Sequence, residues 1–197
     1  KDNGVLVEKD IKHKGYVYHE AAFEEGDQIK LTLDKAGQFV KVKLHDAMAE
    51  SIIFVKGDSW TYTIPDEKSI KKAYTPLAYS GEKNYITAEI PSEEEVYAYR
   101  NLAFNPFDQN KKEEAFPHAD ANVETRNDAT FFARNAIDGI LANEGHGYWP
   151  YQSWGINRQA DATMRVYFGK DVEVDRAGIT LRADFPHDSY WTQATLE

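Results

Sequence analysis

Cysteine is absent from this chain of 197 residues. Disulfide bonds, catalytic thiolates and zinc sites built from thiolates are therefore excluded. No apolar run approaches the roughly 18 residues that a membrane-spanning helix needs. The first dozen residues are mostly charged or polar, so we expect no signal peptide in this chain and leave its compartment unassigned.

Positive charge is also scarce, because 23 Lys and Arg residues stand against 33 Asp and Glu residues. The formal net charge is -10, and the basic residues are scattered apart from the doublets Lys71-Lys72 and Lys111-Lys112. Nucleic-acid binding needs a basic footprint, so we expect no nucleic-acid partner. The same charge disfavours anionic membranes, and we expect no membrane insertion.

Alternating apolar and polar residues dominate the first half of the chain. Residues 29–33, 40–44 and 60–64 have an apolar side chain at every second position, and residues 52–55 are a short apolar run. Period-two patterns joined by Gly and Asp turns predict antiparallel hairpins. Residues 84–90 are a candidate for a further strand.

The middle of the chain marks an expected boundary. Residues 73–79 are a candidate extended segment, and Ser92 with Glu95 has the S-x-x-E spacing of a helix capping box. We therefore expect a short helix after a β-rich N-terminal region over residues 1–97. A second region covers residues 98–197.

The second region has a layout typical of a binding site on a β scaffold. Residues 131–137 are expected to form a short helix that Gly139 ends. An aromatic loop follows at residues 148–154. Residues 162–168 then alternate as a strand, and residues 174–181 are expected to be its partner strand.

Short motifs in this region resemble those of the discoidin, or coagulation-factor C-type, module. They are Ala-Arg-Asn-Ala-Ile-Asp-Gly at residues 133–139, Ser153-Trp154, Phe168-Gly169-Lys170, and Val-Asp-Arg-Ala-Gly-Ile-Thr-Leu-Arg at residues 174–182. The resemblance covers about residues 98–197. Tyr167 stands where the family has an aspartate, which is a departure from the pattern.

The resemblance implies a mainly β protein, in which an antiparallel β-sandwich of the galactose-binding-like jelly-roll type follows the N-terminal β-rich region, with few short helices. Motifs at residues 101–106 and 185–191 are similar to those of bacterial proteins called carbohydrate-binding. The family's jelly roll has more strands after the one at residues 174–182. Because an unpaired sheet edge is usually avoided, we expect the N-terminal strands, another chain or a missing C-terminal segment to complete the sheet.

The aromatic loop is the first candidate surface for sugar binding. Flat rings stack on the C–H faces of sugars, and planar polar groups bind their hydroxyls. The candidates here are His146, Tyr148, Trp149, Tyr151, Gln152, Arg158 and Asp161. Trp154 is equally expected as a core residue.

The second candidate surface follows the strand expected at residues 174–181. Arg182 and Asp184 are candidates to bind hydroxyls, with His187 and Trp191 beside them. The alternative is a structural loop held by salt bridges.

A structural Ca²⁺ ion is implied by the resemblance, although no cofactor is required. Calcium takes several oxygen ligands, and Asp138, Asn143 and Glu144 supply candidates. The alternative for Asp138 is that it caps or turns the end of the preceding helix. The histidines have no metal-binding spacing.

The expected function is non-catalytic binding of a glycan or oligosaccharide. One alternative is a β-sandwich polysaccharide hydrolase or lyase that uses His146 or His187 with Tyr and Arg partners. Another is a structural or protein-interaction module. Glycosidases need two carboxylates at a set separation, and 33 acidic residues offer too many pairs for the sequence to select one.

Overall fold

Antiparallel strands form most of the regular structure in the computed structural model, which describes residues 7–185 and 191–197. The strands are β1 (Lys14–His19), β2 (Gln28–Thr32), β3 (Gln38–Lys43), β4 (Ser51–Val55), β5 (Ser59–Thr63), β6 (Asn84–Glu89), β7 (Ala115–Phe116), β8 (His118–Ala121) and β9 (Met164–Tyr167). The helices of the described residues are α1 (Glu67–Ala73) and α2 (Glu93–Tyr97), with 3-10 turns at Thr125–Asn127, Ala129–Phe131 and Ala133–Ala136. The mainly β class is therefore confirmed.

The described strands form one larger sheet and two strand pairs. The five-stranded sheet has the order β1-β6-β3-β4-β7, and the pairs are β2-β5 and β8-β9. All of these pairings are antiparallel. Strands β2 to β6 lie where period-two patterns and short apolar runs predict them.

The main core lies between the inner face of the five-stranded sheet and the β2-β5 pair. Val40 lies opposite Ile53 in the sheet, and both are buried. Tyr62 of β5 is also buried, and its ring makes an edge contact with Phe107 at 6.2 Å between centroids. The hydroxyl of Tyr79 donates to that of Tyr62, so neither buried oxygen lacks a partner. Alternate residues of each strand therefore supply this core, as the pleat requires.

Helix α1 and the turn after it replace the extended segment expected at residues 73–79. Asp66 caps the helix by accepting from the amide of Ser69 at 2.9 Å. The chain then turns, because the amide of Ala78 donates to the carbonyl of Thr75 at 2.9 Å and Tyr79 adopts a φ of 57°. The expectation is wrong because this turn is what carries the Tyr79 ring into the core.

Helix α2 begins with the predicted capping box. Ser92 accepts from the amide of Glu95 at 3.2 Å, and Glu95 accepts from the amide of Ser92 at 2.9 Å. Lys41 of β3 adds an ion pair with Glu95 at 2.5 Å. The short helix is therefore fixed to the outer face of the sheet at its first turn.

The core crosses the boundary expected between residues 97 and 98. Strand β7 pairs with β4, so the five-stranded sheet takes a strand from each side of that boundary. Phe107, Ala115 and Ala129 pack in the same cluster as Val40 and Tyr62. The N-terminal strands thus share one hydrophobic core with the first part of the second region.

The segment at residues 174–181 is not a strand, contrary to expectation. Its apolar side chains are exposed, with relative exposures of 67% for Val174, 57% for Ile179 and 43% for Leu181. Strand β9 pairs with β8 instead. Among the described residues, β9 forms its hydrogen bonds with β8 and not with residues 174–181. That segment therefore has no neighbouring strand in the described part of the chain, and its backbone is irregular.

The helix expected at residues 131–137 is divided into 3-10 turns. Phe132 has extended backbone angles, φ −69° and ψ 149°, and interrupts it. Gly139 follows with a φ of 86°, the conformation predicted for the residue after the helix. A Cβ atom at Gly139 would lie 2.4 Å from the Phe104 ring, so this position requires glycine on two counts.

We predict that Gly139→Ala destabilises the fold by about 2–4 kcal/mol, because it adds a left-handed backbone cost to a steric one. Gly81→Ala is the matched control, since Gly81 has a φ of 90° and open space around its Cβ position. We expect the control to cost about 1–2 kcal/mol. Urea unfolding of both variants measures the difference, and equal losses would contradict the steric argument.

Candidate functional site

The aromatic loop is held by backbone hydrogen bonds at both ends. The amide of Trp149 donates to the carbonyl of Lys72 at the end of α1, at 2.8 Å. The amide of Ser153 donates to the carbonyl of Thr130 at 3.0 Å. The loop therefore rests on α1 and on the 3-10 segment rather than extending freely into solvent.

An ion pair beneath this loop joins the two elements that hold it. Lys72 of α1 pairs with Asp128, which also accepts from the amide of Thr130 at 3.0 Å. Burial raises the pKa of Asp128, but hydrogen bonds from Lys72 and Thr130 outweigh burial and lower that pKa to about 2. The Lys72 side chain is only 11% exposed, so the pair is shielded from solvent.

The two candidate loops meet at a cluster of three side chains, which we call the His146 cluster. Nδ1 of His146 lies 2.7 Å from Oδ2 of Asp184, and Nε of Arg182 lies 2.6 Å from Oδ1 of the same carboxylate. Because a carboxylate only accepts, Nδ1 of His146 carries the proton. The structure thus brings His146 of the first candidate surface together with Arg182 and Asp184 of the second.

Asp184 is the centre of this cluster. It is 6% exposed, whereas the His146 side chain is 41% exposed and the Arg182 side chain 31%. Burial raises the pKa of Asp184, but the hydrogen bond from His146 and the charge of Arg182 outweigh it, so the net pKa is lowered. The carboxylate stays ionised at neutral pH and fixes both partners at the surface.

Backbone contacts extend the joint between the two loops. The amide of Ala183 donates to the carbonyl of Asn143 at 2.8 Å. The side-chain amide of Asn143 donates to the carbonyl of Leu181 at 3.1 Å. The amide of Asn143 also donates to the Glu144 carboxylate at 3.2 Å. Asn143 and Glu144 are thus parts of the joint that supports the His146 cluster.

The candidate aromatic rings differ in exposure. Tyr148 is 61% exposed and Trp191 is 38% exposed. Phe185, which follows Asp184, is 89% exposed. Trp149 and Tyr151 are half-buried. These rings are not sealed in the core, so the condition for stacking on a ligand is met at this surface.

Trp154 and Trp191 pack together, and Trp154 lies at the edge of a second hydrophobic cluster whose buried members are Ala119, Ala133 and Ile137. The two tryptophan rings lie 5.8 Å apart in an edge-on arrangement. The indole N–H of Trp154 donates to the carbonyl of Val123 at 2.8 Å, and its ring packs beside Ala133 and Ile137. Trp154 is therefore a structural residue, and it packs against Trp191.

Gln152 and Asp138 lie below the surface. Gln152 is 5% exposed and donates to the Asp138 carboxylate at 2.7 Å. The other oxygen of Asp138 accepts from the amide of Ile140 at 2.8 Å, which is the turn-forming role expected as the alternative to calcium binding. Burial raises the pKa of Asp138, and the charge of Arg134 opposes that rise.

The candidate calcium ligands have different surroundings. Asp138 is occupied by Gln152 and Ile140, whereas Asn143 and Glu144 lie beside the Asp184 loop. Across residues 7–185 and 191–197, no three His, Asp or Glu side chains come together as a metal site. Calcium binding stays a prediction.

Arg158 and Asp161 belong to a separate turn before β9. Arg158 is exposed and has a φ of 60°. The carbonyl of Asp161 accepts from the side chain of Asn122 at 2.9 Å, and the neighbouring turn is tied to Thr125. These contacts tie the turn to the segment after β8. The candidate His187 lies outside the described residues.

A buried polar network is centred on Arg134, and sequence reasoning missed it. The Arg134 side chain donates to the carbonyl of Asp108 at 2.7 Å and lies over the Tyr74 ring, 4.6 Å from its centroid. The Asp108 carboxylate pairs with Nδ1 of His118 at 2.7 Å and accepts from the amide of Ala119 at 2.9 Å. The local sequence at residues 105–108 and 116–118 does not indicate that these two segments contact each other.

Ionisation within this network follows from its burial. Burial raises the pKa of Asp108. Burial lowers the pKa of His118, but the hydrogen bond with Asp108 and the negative charges of nearby carboxylates together outweigh burial, so the net pKa is raised. Burial also lowers the pKa of Arg134, which Tyr74 and the nearby carboxylates offset, so the guanidinium stays charged. His118 is 1% exposed and therefore structural rather than part of a surface site.

Comparison with protein families, curated proteins and solved structures finds no match for this chain. The motifs that resemble the discoidin module therefore remain the basis for that expectation. No helix within the described residues has the length and apolar character needed to cross a membrane.

We predict that Asp128→Asn costs about 1–3 kcal/mol at pH 7, because it removes a shielded, charge-assisted pair. The folded-state pKa is depressed, so this contribution is present above the unfolded pKa of about 3.9 and is lost as pH falls towards about 2. Glu67→Gln, which breaks the exposed Lys71 pair, is the control and should change stability much less, because that pair is screened by solvent. Urea unfolding at pH 7 and pH 2.5 measures both. A cost that is the same at the two pH values would contradict the assignment.

We predict that Arg134→Met destabilises the protein by about 3–5 kcal/mol, since it leaves buried carboxylates and carbonyls without their cation. Arg165→Met, at an exposed position of β9, is the matched control with an expected change below about 0.5 kcal/mol. Thermal unfolding followed by circular dichroism compares the two. Similar midpoints for both variants would show that Arg134 does not organise the core.

Proposed function

We propose that this chain binds carbohydrate without catalysing a reaction on it. The binding surface in this proposal is formed by residues 143–151, residues 181–185 and Trp191. The observation that carries the proposal is the His146 cluster, in which a buried carboxylate fixes an imidazole and a guanidinium at the surface.

Preorganisation supports this proposal. Asp184 holds His146 and Arg182 before any ligand arrives, so less side-chain freedom is lost on binding. Sugar hydroxyls both donate and accept hydrogen bonds, and planar polar groups suit them. Tyr148 lies two residues from His146, and Phe185 directly follows Asp184, so exposed rings flank the polar groups along the chain.

The finer fold assignment is part of the same proposal. We place the second region in the discoidin-like, galactose-binding-like jelly-roll class, on the motifs at residues 133–139 and 174–182. The antiparallel pairing of β8 with β9 is compatible with such a sandwich. The exposed alternation at residues 174–181 supports completion of the sheet by another chain or a further segment.

Calcium enters the proposal as a structural ion near Asn143 and Glu144. Their carbonyl and carboxylate oxygens are of the type that calcium prefers, and they support the loop that holds Asp184. Each such sugar site is expected to be weak, so attachment to a larger protein or several sites per chain would raise the affinity.

The His146–Asp184 contact also favours a second candidate function, a polysaccharide hydrolase or lyase. A carboxylate that orients a histidine is a recurrent arrangement for general acid–base catalysis. Catalysis also benefits from a recess that excludes water. Two depressions in the described part of the chain hold about 10 and 110 Å³, and neither is lined by His146. We favour binding over catalysis because exposed rings lie next to the preorganised polar groups of this surface.

We predict that Tyr148→Ala and Trp191→Ala each weaken glycan binding by about tenfold, because each removes an exposed stacking ring. Asp184→Asn should weaken it by a similar factor, since it releases both His146 and Arg182. A glycan array, run with and without calcium and followed by calorimetry on the glycans found, provides the measurement.

Tyr97→Ala is the control for this experiment, because Tyr97 is 76% exposed on α2 and lies outside the proposed surface. Equal binding by all four variants would remove this surface from the function. Release of products from polysaccharides by the unaltered chain, abolished in His146→Ala, would establish the enzyme instead. An array without signal would favour the protein-interaction alternative.

A further inference from the structure

We propose that the outer face of strands β1 and β6 is a second saccharide-binding surface, specific for neutral glycan chains. Its aromatic part consists of Tyr16, Tyr18 and Tyr85, which we call the tyrosine face. The ligand class comes from the proposed function, but the surface and the residues are separate from the His146 cluster.

Strand register places the three rings on one side of the sheet. Tyr18 lies directly opposite Tyr85, and Tyr16 lies opposite Thr87. Residues opposite each other in an antiparallel pair share a face, as do residues two apart in a strand. Tyr16 and Tyr85 are diagonal neighbours whose rings lie 5.2 Å apart with a tilt of 30°.

The rings are large apolar groups left in contact with water. Tyr16, Tyr18 and Tyr85 are 47%, 45% and 43% exposed, whereas Tyr62, Tyr74 and Tyr79 of the core are each below 9%. Residues on the inner side of β1 alternate with them and are less exposed. The outward tyrosines thus add little to the hydrophobic core, which leaves their faces available for a ligand.

One ring already has an occupant from the same chain. Nζ of Lys9 lies 3.7 Å from the centroid of Tyr16, within the range of a cation–π contact. This contact shows that a group can approach the ring face from solvent. A glycan that stacks on Tyr16 would displace the Lys9 side chain.

Polar groups beside the rings are paired within the protein. Lys14 forms an ion pair with Glu89 at 2.7 Å, and Lys43 pairs with Asp46 at 3.1 Å. The hydroxyl of Thr87 shares the face by register. Apart from Lys9, which a stacked ligand would displace from Tyr16, the charged groups named here are paired with each other. The described part of this surface therefore offers little net charge to an ionic ligand, whereas hydroxyl groups suit its donors and acceptors.

The dimensions match a saccharide chain. Tyr16 and Tyr18 are about 7 Å apart along β1, and the two strands are about 5 Å apart. This area accommodates one or two sugar rings lying flat. A flat platform at the end strand of the described sheet leaves room for a longer chain to extend past it.

The test isolates this face by using the loop variant Tyr148→Ala with Trp191→Ala as the background. On a glycan array, we expect this double variant to keep measurable binding to neutral oligosaccharides. We expect it to bind few of the acidic oligosaccharides. Adding Tyr18→Thr and Tyr85→Thr should reduce that residual binding at least tenfold. Threonine keeps the strand preference while it removes the ring, and circular dichroism checks that the fold is retained.

Two further variants in the same background sharpen the result. Tyr18→Phe with Tyr85→Phe keeps the rings and should keep most of the residual binding. Lys9→Ala uncovers Tyr16 and should strengthen that binding about two- to fivefold. Tyr97→Ala serves again as the exposed control.

The proposal is overturned if the background binds no neutral glycan, or if the threonine and control variants bind alike. An unchanged affinity in Lys9→Ala would likewise count against stacking on Tyr16. The function proposed for the His146 cluster is judged separately, by comparing the unaltered chain with the loop variant. Loss of all binding in the loop variant alone would retain that function and reject the tyrosine face.

Discussion

Arg134 is a charged side chain in the interior, and its requirements constrain much of the fold. It is 4% exposed, and its guanidinium donates to the carbonyls of Asp108 and Pro106 and to the side chain of Asn135. A buried charge is costly unless hydrogen bonds and opposite charge compensate it. The segment at residues 105–108 and the 3-10 turn of Arg134 are therefore fixed relative to each other.

The constraint extends from Arg134 to strand β8. The backbone of Asp108 accepts from Arg134, while its carboxylate pairs with His118 and accepts from the amide of Ala119. Asn105 adds a hydrogen bond to the carbonyl of Pro117 at 2.8 Å. Strand β8 is thereby positioned to pair with β9, and the aromatic loop between Arg134 and β9 has fixed ends.

The surface around His146 combines fixed polar groups with exposed rings. Gln152 anchors the loop through Asp138, while Lys72 and Asp128 hold the loop's supports together. The hydrophobic cluster next to this loop is small, with Ala119, Ala133 and Ile137 as its buried members. Because such a cluster offers few apolar contacts, polar contacts hold the loop in place. Tyr148 and the tyrosine face of the sheet are exposed rather than packed in the core, and both binding proposals rest on that exposure.

Local patterns in the sequence indicated strands β2 to β6 and the Ser92 capping box, because side-chain alternation and helix capping involve residues that are close together in the sequence. The predicted strand at residues 174–181 has the same alternation but lacks a ladder partner among the described residues, and pairing is a tertiary property. Likewise His146 and Asp184 are separated by 38 residues, and nothing in the spacing indicates that they meet. The sequence by itself determined which kinds of side chain, aromatic and charged, are present in the two candidate surfaces. Tertiary packing decided which of them are in contact, because long-range contacts depend on how the core packs around Arg134.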